Sequence, residues 1–298
     1  MYLEHYQLTQ KPFQINTDPA FLWLGEKHRE ALSALHYGLQ ENKGFLVLTG
    51  DVGVGKTTIV NTLIQELGSE DMAAIIHDPV MEPLDFFNYV AHGFGLPGGY
   101  KTKGEFLVAF SAFLMKAYYH NRRVLLIIDE AHLLDSQFLT ELRLLSNFEK
   151  KGNKLINVFF VGQLELNDLL LRPENKAIRQ RITVNYNIPN LTARETADYI
   201  NYRLTVADAK KKLFKKSALR EIYRFSKGNP RLINIIADRA LLTGYVNSRH
   251  RIKKRTIKEC AKELEIVRKS SSATPEIRSE DIPASEENAS ELKKASTS

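Results

Sequence analysis

The stretch that decides the fold is Gly50-Asp51-Val52-Gly53-Val54-Gly55-Lys56-Thr57, which fits the pattern G-x-x-x-x-G-K-[ST]. An apolar run at 45–48 precedes it and predicts a buried strand, and residues 58–64 predict a helix with an apolar face. Strand, glycine-rich loop and helix form the context that a phosphate-binding loop requires. The glycines let backbone N–H groups turn towards phosphate oxygens, and the helix N-terminus adds partial positive charge.

The loop predicts the contacts of a nucleotide and its metal ion. We expect Lys56 to reach the β- and γ-phosphates and the Thr57 hydroxyl to ligate Mg²⁺. The expected nucleotide contacts are Gly50, Asp51, Val52, Gly53, Val54, Gly55, Lys56, Thr57 and Thr58. The alternative is a glycine-rich turn with an incidental Lys-Thr pair, and the flanking elements argue against it.

A second motif lies at the end of another apolar run. Residues 124–128 predict a buried strand, and Asp129 and Glu130 follow it directly. At the carboxyl end of a parallel strand, such carboxylates face the ligand crevice. Asp129 would hold Mg²⁺, and Glu130 would orient and deprotonate the water that attacks the γ-phosphate. The alternative is a buried strand followed by a polar helix cap, which the upstream phosphate-binding loop makes less favourable.

Four further side chains are candidates for the same site. Gln163 ends the next apolar strand and could contact the γ-phosphate or the attacking water. Arg231, at a helix start after Gly-Asn-Pro, could reach the phosphates from a second domain. Arg179 and Arg181 precede the fifth strand and could project into a neighbouring subunit's site, where an arginine stabilises charge in phosphoryl transfer. For each arginine, a solvated surface charge is the alternative.

Composition and charge fit an ordinary globular chain of one large or two modest domains. The 298 residues carry a net charge of +7, unevenly spread, because residues 270–298 hold three basic and six acidic residues. The basic remainder could meet nucleic acid, an acidic protein or an anionic membrane surface, or be solvated. No apolar run reaches the ~20 residues of a membrane span, the N-terminus lacks signal-peptide features, and Cys260 is the single cysteine. We therefore expect a cytoplasmic protein without a transmembrane segment.

Strands that alternate with helices place the chain in the α/β class. Apolar runs at 45–48, 73–77, 124–128, 156–161 and 184–188 are separated by helical patterns, which indicates a parallel five-stranded sheet covered on both faces. Beyond residue 191 the pattern is helical without a convincing strand, and Thr192 to Glu195 fits a capping box. The predicted organisation is a lead-in near the adenine end (1–40), extended at first and helical over 28–40, an α/β nucleotide-binding domain (41–190), an all-helical lid (191–268) and a disordered polar tail (269–298).

Together these residues resemble the AAA+ ATPases, and in particular the general secretion pathway A type family, over residues 1 to about 266. Besides the two motifs, the resemblance rests on Pro12-Phe13, Asp18-Pro19-Ala20-Phe21-Leu22, His28-Arg29-Glu30-Ala31-Leu32, Val161-Gly162-Gln163, Arg179-Gln180-Arg181-Ile182, Tyr199-Ile200-Asn201-Tyr202-Arg203-Leu204 and Gly228-Asn229-Pro230-Arg231-Leu232. It implies a P-loop NTPase (AAA+) fold with a helical lid, ATP and Mg²⁺ as ligands, and a homo-oligomer. It also implies a Walker A motif at 50–57, a Walker B motif at 129–130, sensor 1 near Gln163 and sensor 2 at Arg231.

The family resemblance also implies a setting. Its members serve cell-envelope machines, namely type II secretion, mannose-sensitive pilus assembly and exosortase-linked exopolysaccharide systems, so secretion or envelope-assembly proteins at the inner membrane are the expected partners, with the chain peripheral there. The fullest members continue into a membrane span and a peptidoglycan-binding domain, whereas this sequence ends in a polar tail. Direct peptidoglycan binding is therefore not expected.

A second hypothesis is an ATP-dependent DNA-binding protein of the transposition-helper type. Three basic runs, Lys210-Lys211-Lys212, Lys215-Lys216 and Lys253-Lys254-Arg255, would supply a basic face. A solvated lid surface is the favoured interpretation of these runs, and DNA is the less favoured partner.

Overall fold

A computed structural model describes residues 2–15 and 19–266, so the predicted tail, 269–298, lies outside the described residues. Five strands form the central sheet: β1 Phe45–Gly50, β2 Asp71–Ile76, β3 Arg123–Ile128, β4 Asn157–Gly162 and β5 Ile182–Ile188. Their order is β2–β3–β4–β1–β5, and every neighbouring pair is parallel. The predicted parallel five-stranded α/β sheet is confirmed.

Helices cover both faces of this sheet, as the continuous apolar runs of its strands require. They are α2 Glu26–Gln40, α3 Lys56–Gln65, α4 Pro83–Gly93, α5 Lys103–Tyr119, α6 Ser136–Leu145, α7 Glu165–Leu171 and α8 Lys176–Arg179. Successive residues of β1 point to opposite faces. Phe45 and Val47 join the core cluster that α4, α5 and α6 cover, whereas Leu46 and Leu48 join the cluster that α2 and α3 cover.

The second half of the described chain is helical. Its helices are α9 Ala193–Val206, α10 Lys216–Ser226, α11 Pro230–Val246 and α12 Lys254–Glu263. The predicted capping box opens α9, where Glu195 N donates to Thr192 Oγ1 and the Glu195 carboxylate accepts from Thr192 N. This helical lid and the sheet pack into one compact unit, Met1–Ile266. The boundary that we placed between residues 190 and 191 stays a prediction.

The lead-in differs from the extended segment expected at its start. Residues Tyr2–Tyr6 form helix α1, because Tyr2 and Tyr6 share one face and are both buried. They pack on the lid: Tyr2 OH donates to Asp238 Oδ1 at 2.5 Å, and Tyr6 OH donates to Leu241 O at 3.2 Å. In the same cluster the guanidinium of Arg203 in α9 donates to the carbonyl of Pro12. The first residues therefore belong to the lid side of the fold.

Three short 3₁₀ helices and one small hairpin complete the described chain. The 3₁₀ helices are Pro19–Phe21, Ala131–Leu133 and Pro173–Asn175, and the hairpin pairs Glu149–Lys150 with Asn153–Lys154. Within residues 2–15 and 19–266, we find no helix with the length and apolar composition that crossing a membrane demands.

Candidate functional site

The glycine-rich loop joins β1 to α3 and forms one wall of a cleft. Gly55 is the N-cap of α3 with φ 105°, a left-handed conformation that glycine adopts without strain. Within the described residues, no side chain caps the N-terminus of α3, and its first turn contains no acidic residue. Its first N–H groups and the positive end of its dipole therefore remain available for an anion.

Lys56 lies folded back over this loop. Its Nζ donates to the carbonyl oxygens of Gly50 at 3.0 Å and Asp51 at 3.1 Å. Only 8% of the residue is exposed, and burial lowers the pKa of its amine. Desolvation penalises the charged form of a buried amine, so an anion in the cleft would relieve this cost.

Thr57 and Asp129 bring oxygen atoms together at the carboxyl edge of the sheet. Thr57 Oγ1 lies 3.5 Å from Asp129 Oδ2, while Asp129 Oδ1 accepts a hydrogen bond from Glu130 N at 2.9 Å. Asp129 is buried, and burial raises the pKa of its carboxyl. A hydroxyl and a carboxylate are the hard oxygen ligands that Mg²⁺ prefers, so these two residues fit a magnesium ion.

Glu130 and Gln163 end two neighbouring strands and both face the cleft. Glu130 has a φ of 49°, a left-handed conformation, and 45% of its side chain is exposed. Gln163 follows β4 directly, in the position predicted for it. The sequence predicted no role for His132, whose ring lies between these two side chains.

The lid contributes Arg231 and an unpredicted neighbour, Asn229. Asn229 Nδ2 donates to Val52 O at 2.7 Å, and Arg231 N donates to Gly53 O at 3.3 Å. A Cβ on Gly53 would lie 2.6 Å from Arg231 Cβ, so only glycine permits this approach of lid and loop. Asn229 caps α11 by accepting from Leu232 N, whereas the sequence offered it only as part of the Gly228-Asn229-Pro230-Arg231-Leu232 motif, without a role of its own.

Two adjoining pockets make up the cleft. One, of about 310 Å³, is polar and has among its lining residues Lys56, Thr57, Glu130, Gln163 and Arg231. The other, of about 340 Å³, is mostly apolar and is lined by residues that include Trp23, His28, Thr58, Leu191 and Tyr199. A polar pocket beside an apolar one suits a ligand with a charged end and a flat heterocyclic end.

His28 supports the loop from the side of α2. Its Nε2 lies 2.8 Å from Val54 O, and burial lowers the pKa of the imidazole. The predicted placement of this segment beside the adenine end is consistent with the apolar pocket, which residues 21–24 help to line.

Arg179 and Arg181 lie apart from the cleft. Arg179 Nη1 donates to Leu171 O at 3.1 Å, at the end of α7. Arg181 Nη1 donates to Arg143 O at 3.1 Å and to the Ser146 hydroxyl, at the end of α6. Neither arginine is among the described residues that line the two pockets. Within one chain, both guanidinium groups satisfy carbonyl oxygens at helix ends.

The basic runs of the lid lie side by side. A parallel bridge pairs Phe214 with Ile252, which brings residues 210–216 next to residues 251–255. Part of their charge is neutralised, since ion pairs join Lys210 to Asp208, Lys254 to Glu221 and Arg255 to Glu259. Within the described chain, Lys211, Lys212, Lys215, Lys216 and Lys253 have no ion pair, and all are exposed.

Comparisons with known proteins agree with this fold. Residues 39–170 match the family model of an AAA domain. Among solved structures, Cdc6p from Pyrobaculum aerophilum superposes with a TM-score of 0.63 at 18% identity, covering 83% of this chain and 71% of that chain. Drosophila ORC bound to DNA superposes with a TM-score of 0.64 at 17% identity, covering 88% and 66%. At these identities the likeness shows the fold.

The loop, the carboxylates after β3 and the order β2–β3–β4–β1–β5 define a P-loop ATPase of the AAA+ class. The general secretion pathway protein A of Aeromonas hydrophila is 36% identical over 255 residues, which are 85% of this chain and 46% of that protein. The chain belongs to the AAA+ ATPases of the general secretion pathway A type, as its sequence predicted. It spans about half the length of this relative.

Proposed function

We propose that this chain binds ATP with Mg²⁺ in the cleft and hydrolyses it. The observation that carries the proposal is the pair of buried groups Lys56 and Asp129. Burial lowers the pKa of the Lys56 amine and raises the pKa of the Asp129 carboxyl, so it disfavours the charged form of each. A polyphosphate would neutralise Lys56, and a divalent cation would neutralise Asp129. The Mg²⁺ ion, held by Thr57 and Asp129, would supply charge neutralisation for the phosphates.

The remaining cleft residues receive roles from their positions. The backbone of 50–58 would bind the phosphates through N–H groups. Glu130 would take the proton of the attacking water, and Gln163 would contact that water or the terminal phosphate. Arg231, carried by the lid, would add positive charge where the lid meets the loop. The apolar pocket beside Trp23 and Tyr199 would hold the base.

Glu130→Gln tests the hydrolytic role of the candidate base. Glutamine keeps the size and polarity but accepts no proton, so ATP should still bind while turnover falls about 10²-fold or more. Binding is measured with a fluorescent ATP analogue and turnover by phosphate release. A matched control is Glu41→Gln, since Glu41 is an exposed glutamate at the end of α2. Normal turnover by Glu130→Gln would show that another residue is the base.

We further propose that the active form is a homo-oligomer in which Arg179 or Arg181 completes a neighbour's site. Neither arginine lines the cleft of its own chain, judged over the described residues, as a residue supplied to another subunit requires. An arginine that projects into a neighbour's site, called an arginine finger, would have to break its present hydrogen bonds to carbonyl oxygens. Arg179 holds two carbonyl oxygens, at 3.1 and 3.5 Å, whereas Arg181 holds three acceptors of the 143–147 segment. A finger role for Arg181 therefore disturbs more contacts than one for Arg179.

The proposed biological role is to drive or switch assembly of a bacterial cell-envelope system, with secretion or assembly proteins as partners at the inner membrane. Its support is the similarity to a general secretion pathway protein A, of which this chain covers 46%. The test is capture from cells with Glu130→Gln, which should hold ATP, against Lys56→Ala, which should not bind it. Envelope proteins enriched only with the ATP-holding variant would support the role, and equal recovery with both would count against ATP-driven assembly.

DNA is a second candidate partner, favoured by one specific observation. The bridge between Phe214 and Ile252 joins the basic runs into a single exposed face. Binding that uses this face should require cations at Lys211, Lys212 and Lys215 and weaken steeply with salt, because counterions are released from the duplex. Filter binding of the wild type and of Lys211→Glu/Lys212→Glu would decide, and equal binding by both would exclude this face.

A further inference from the structure

Under the proposed function, on which this role rests, Glu130 and Gln163 would handle the attacking water, and His132 contacts both of these side chains. Its Nδ1 lies 3.4 Å from Glu130 Oε2, and its Nε2 lies 3.0 Å from Gln163 Nε2. The backbone N of Gln163 also approaches Nδ1, at 3.4 Å. One ring therefore touches the ends of two different strands, β3 and β4.

His132 is placed behind the wall of the cleft. Glu130 and Gln163 line the polar pocket, whereas His132 is absent from the described residues that line either pocket. Only 11% of its side chain is exposed, against 45% for Glu130. An imidazole in this position supports the two reacting-face side chains without contacting the nucleotide.

The backbone around His132 fixes the ring in place. His132 lies in the 3₁₀ turn Ala131–Leu133, which is closed by a 2.9 Å hydrogen bond from Leu133 N to Glu130 O. The end of β4 packs directly on this turn, since a Cβ on Gly162 would lie 3.1 Å from His132 N. The turn after β3 and the end of β4 are thus in contact through backbone as well as side chains.

We propose that His132 is a positioning residue that couples the candidate base Glu130 to Gln163. The carboxylate of Glu130 stands on a left-handed residue beside the cleft, and its side chain is half-exposed, so it needs an external contact to hold one orientation. Through the shared ring, a shift of Gln163 towards or away from the terminal phosphate changes the orientation of Glu130. Chemistry then depends on the pair, and nucleotide binding does not depend on the ring.

A double-mutant cycle tests this coupling. His132→Ala should leave the affinity for the fluorescent ATP analogue unchanged and lower kcat about 10²-fold, the cost of a misplaced catalytic group. Gln163→Ala should lower kcat as well. If the two act through one ring, the double variant is no slower than the slower single variant, whereas independent effects multiply.

Two amide substitutions separate the two contacts of the ring. His132→Asn places a polar atom near the position of Nδ1 and keeps the Glu130 contact, while His132→Gln places one near Nε2 and keeps the Gln163 contact. Coupling requires both contacts, so neither variant should recover the wild-type kcat. If His132 were purely structural, His132→Ala would instead lower the melting temperature, and kcat and nucleotide affinity would fall together.

The matched control is His36→Ala, which removes a surface histidine that contacts Glu66 at 2.6 Å, and kcat should not change. If the wild type hydrolyses ATP but the losses of kcat in the cycle multiply, the coupling alone is overturned. The same holds if His132→Ala leaves kcat unchanged. A wild type that releases no phosphate from ATP would overturn the proposed function as well, so the two failures are distinguishable.

Discussion

Gly228→Ala should separate the lid from the phosphate-binding loop. Gly228 has a φ of 81°, and a Cβ built on it would lie 1.8 Å from Leu191 O, a backbone atom that cannot rotate away. The next residue is Asn229, whose side chain donates to Val52 O. Gly99 offers a matched control, because its φ is 83° and its Cβ would have no neighbour within 4 Å.

The expected magnitudes follow from these contacts. In both variants alanine adopts a left-handed conformation, which costs about 1–2 kcal/mol of folding stability. In Gly228→Ala the backbone must also shift by more than an ångström, which breaks the 3.0 Å hydrogen bond from Leu191 N to Gly228 O and the 2.7 Å bond from Asn229 to Val52. At about 1 kcal/mol for each bond, Gly228→Ala should lose about 2 kcal/mol more than Gly99→Ala.

The assay is urea denaturation of both variants and of the wild type without nucleotide, followed by titration with the ATP analogue. Gly228→Ala should also bind nucleotide more weakly, since Asn229 and Arg231 no longer meet the loop, whereas Gly99→Ala should bind as the wild type does. Equal losses of stability in the two glycine variants would refute the close approach. A destabilised Gly228→Ala with normal affinity would show that the lid contacts do not shape the nucleotide site.

Three further predictions concern the cleft and the subunit contact. Lys56→Ala should abolish nucleotide binding while the fold survives, which circular dichroism and the ATP analogue check together. Because burial raises the pKa of Asp129, its ionised form costs stability above that pKa and the cost disappears as the pH falls through it. Asp129→Asn should therefore raise the apo melting temperature at neutral pH, the gain should shrink in acid, and the Mg²⁺-dependent stabilisation by ATP should vanish. Arg179→Ala or Arg181→Ala should keep ATP binding and lose turnover, by about 10³-fold for a true finger. Mixing such subunits with Glu130→Gln should partly restore phosphate release, and full activity of both single variants would exclude a shared site through these arginines.

Much of the sheet could be predicted because its signals are local. The apolar runs located all five strands, but they misplaced the first residues of β2 and β5, the two edge strands, by two positions each. The sheet edge explains this error: β5 alternates between half-buried and exposed residues, and Ile182 joins the sheet only through an irregular pairing with Phe45. Helices α7 and α8 were not predicted, since seven and four residues are too short to show helical periodicity.

In the site, too, residues could be predicted where the signal is local in the sequence and were missed where it depends on distant contacts. Walker-type residues could be predicted because each motif is contiguous: the structure brings Lys56 and Glu130 to the polar pocket, and the charge of Asp129 acts on the Lys56 amine. Asn229 and His132 were missed because their partners are remote in the chain: Val52 is 177 positions from Asn229, and Gln163 is 31 from His132. The roles of the individual site residues remain predictions that the variants above address.

The packing of α1 against the lid determines how the lid can move. The chain leaves the lid side after Trp23, joins the sheet side at Glu26 and returns between Ile188 and Ala193, so two covalent connections run between the halves. A body held at one point can swivel in any direction, whereas a body held at two points turns about the line that joins them. We therefore expect the lid to move mainly by rotation about the line that joins these two connections. Such a rotation would open and close the contact between Arg231 N and Gly53 O instead of sliding one past the other.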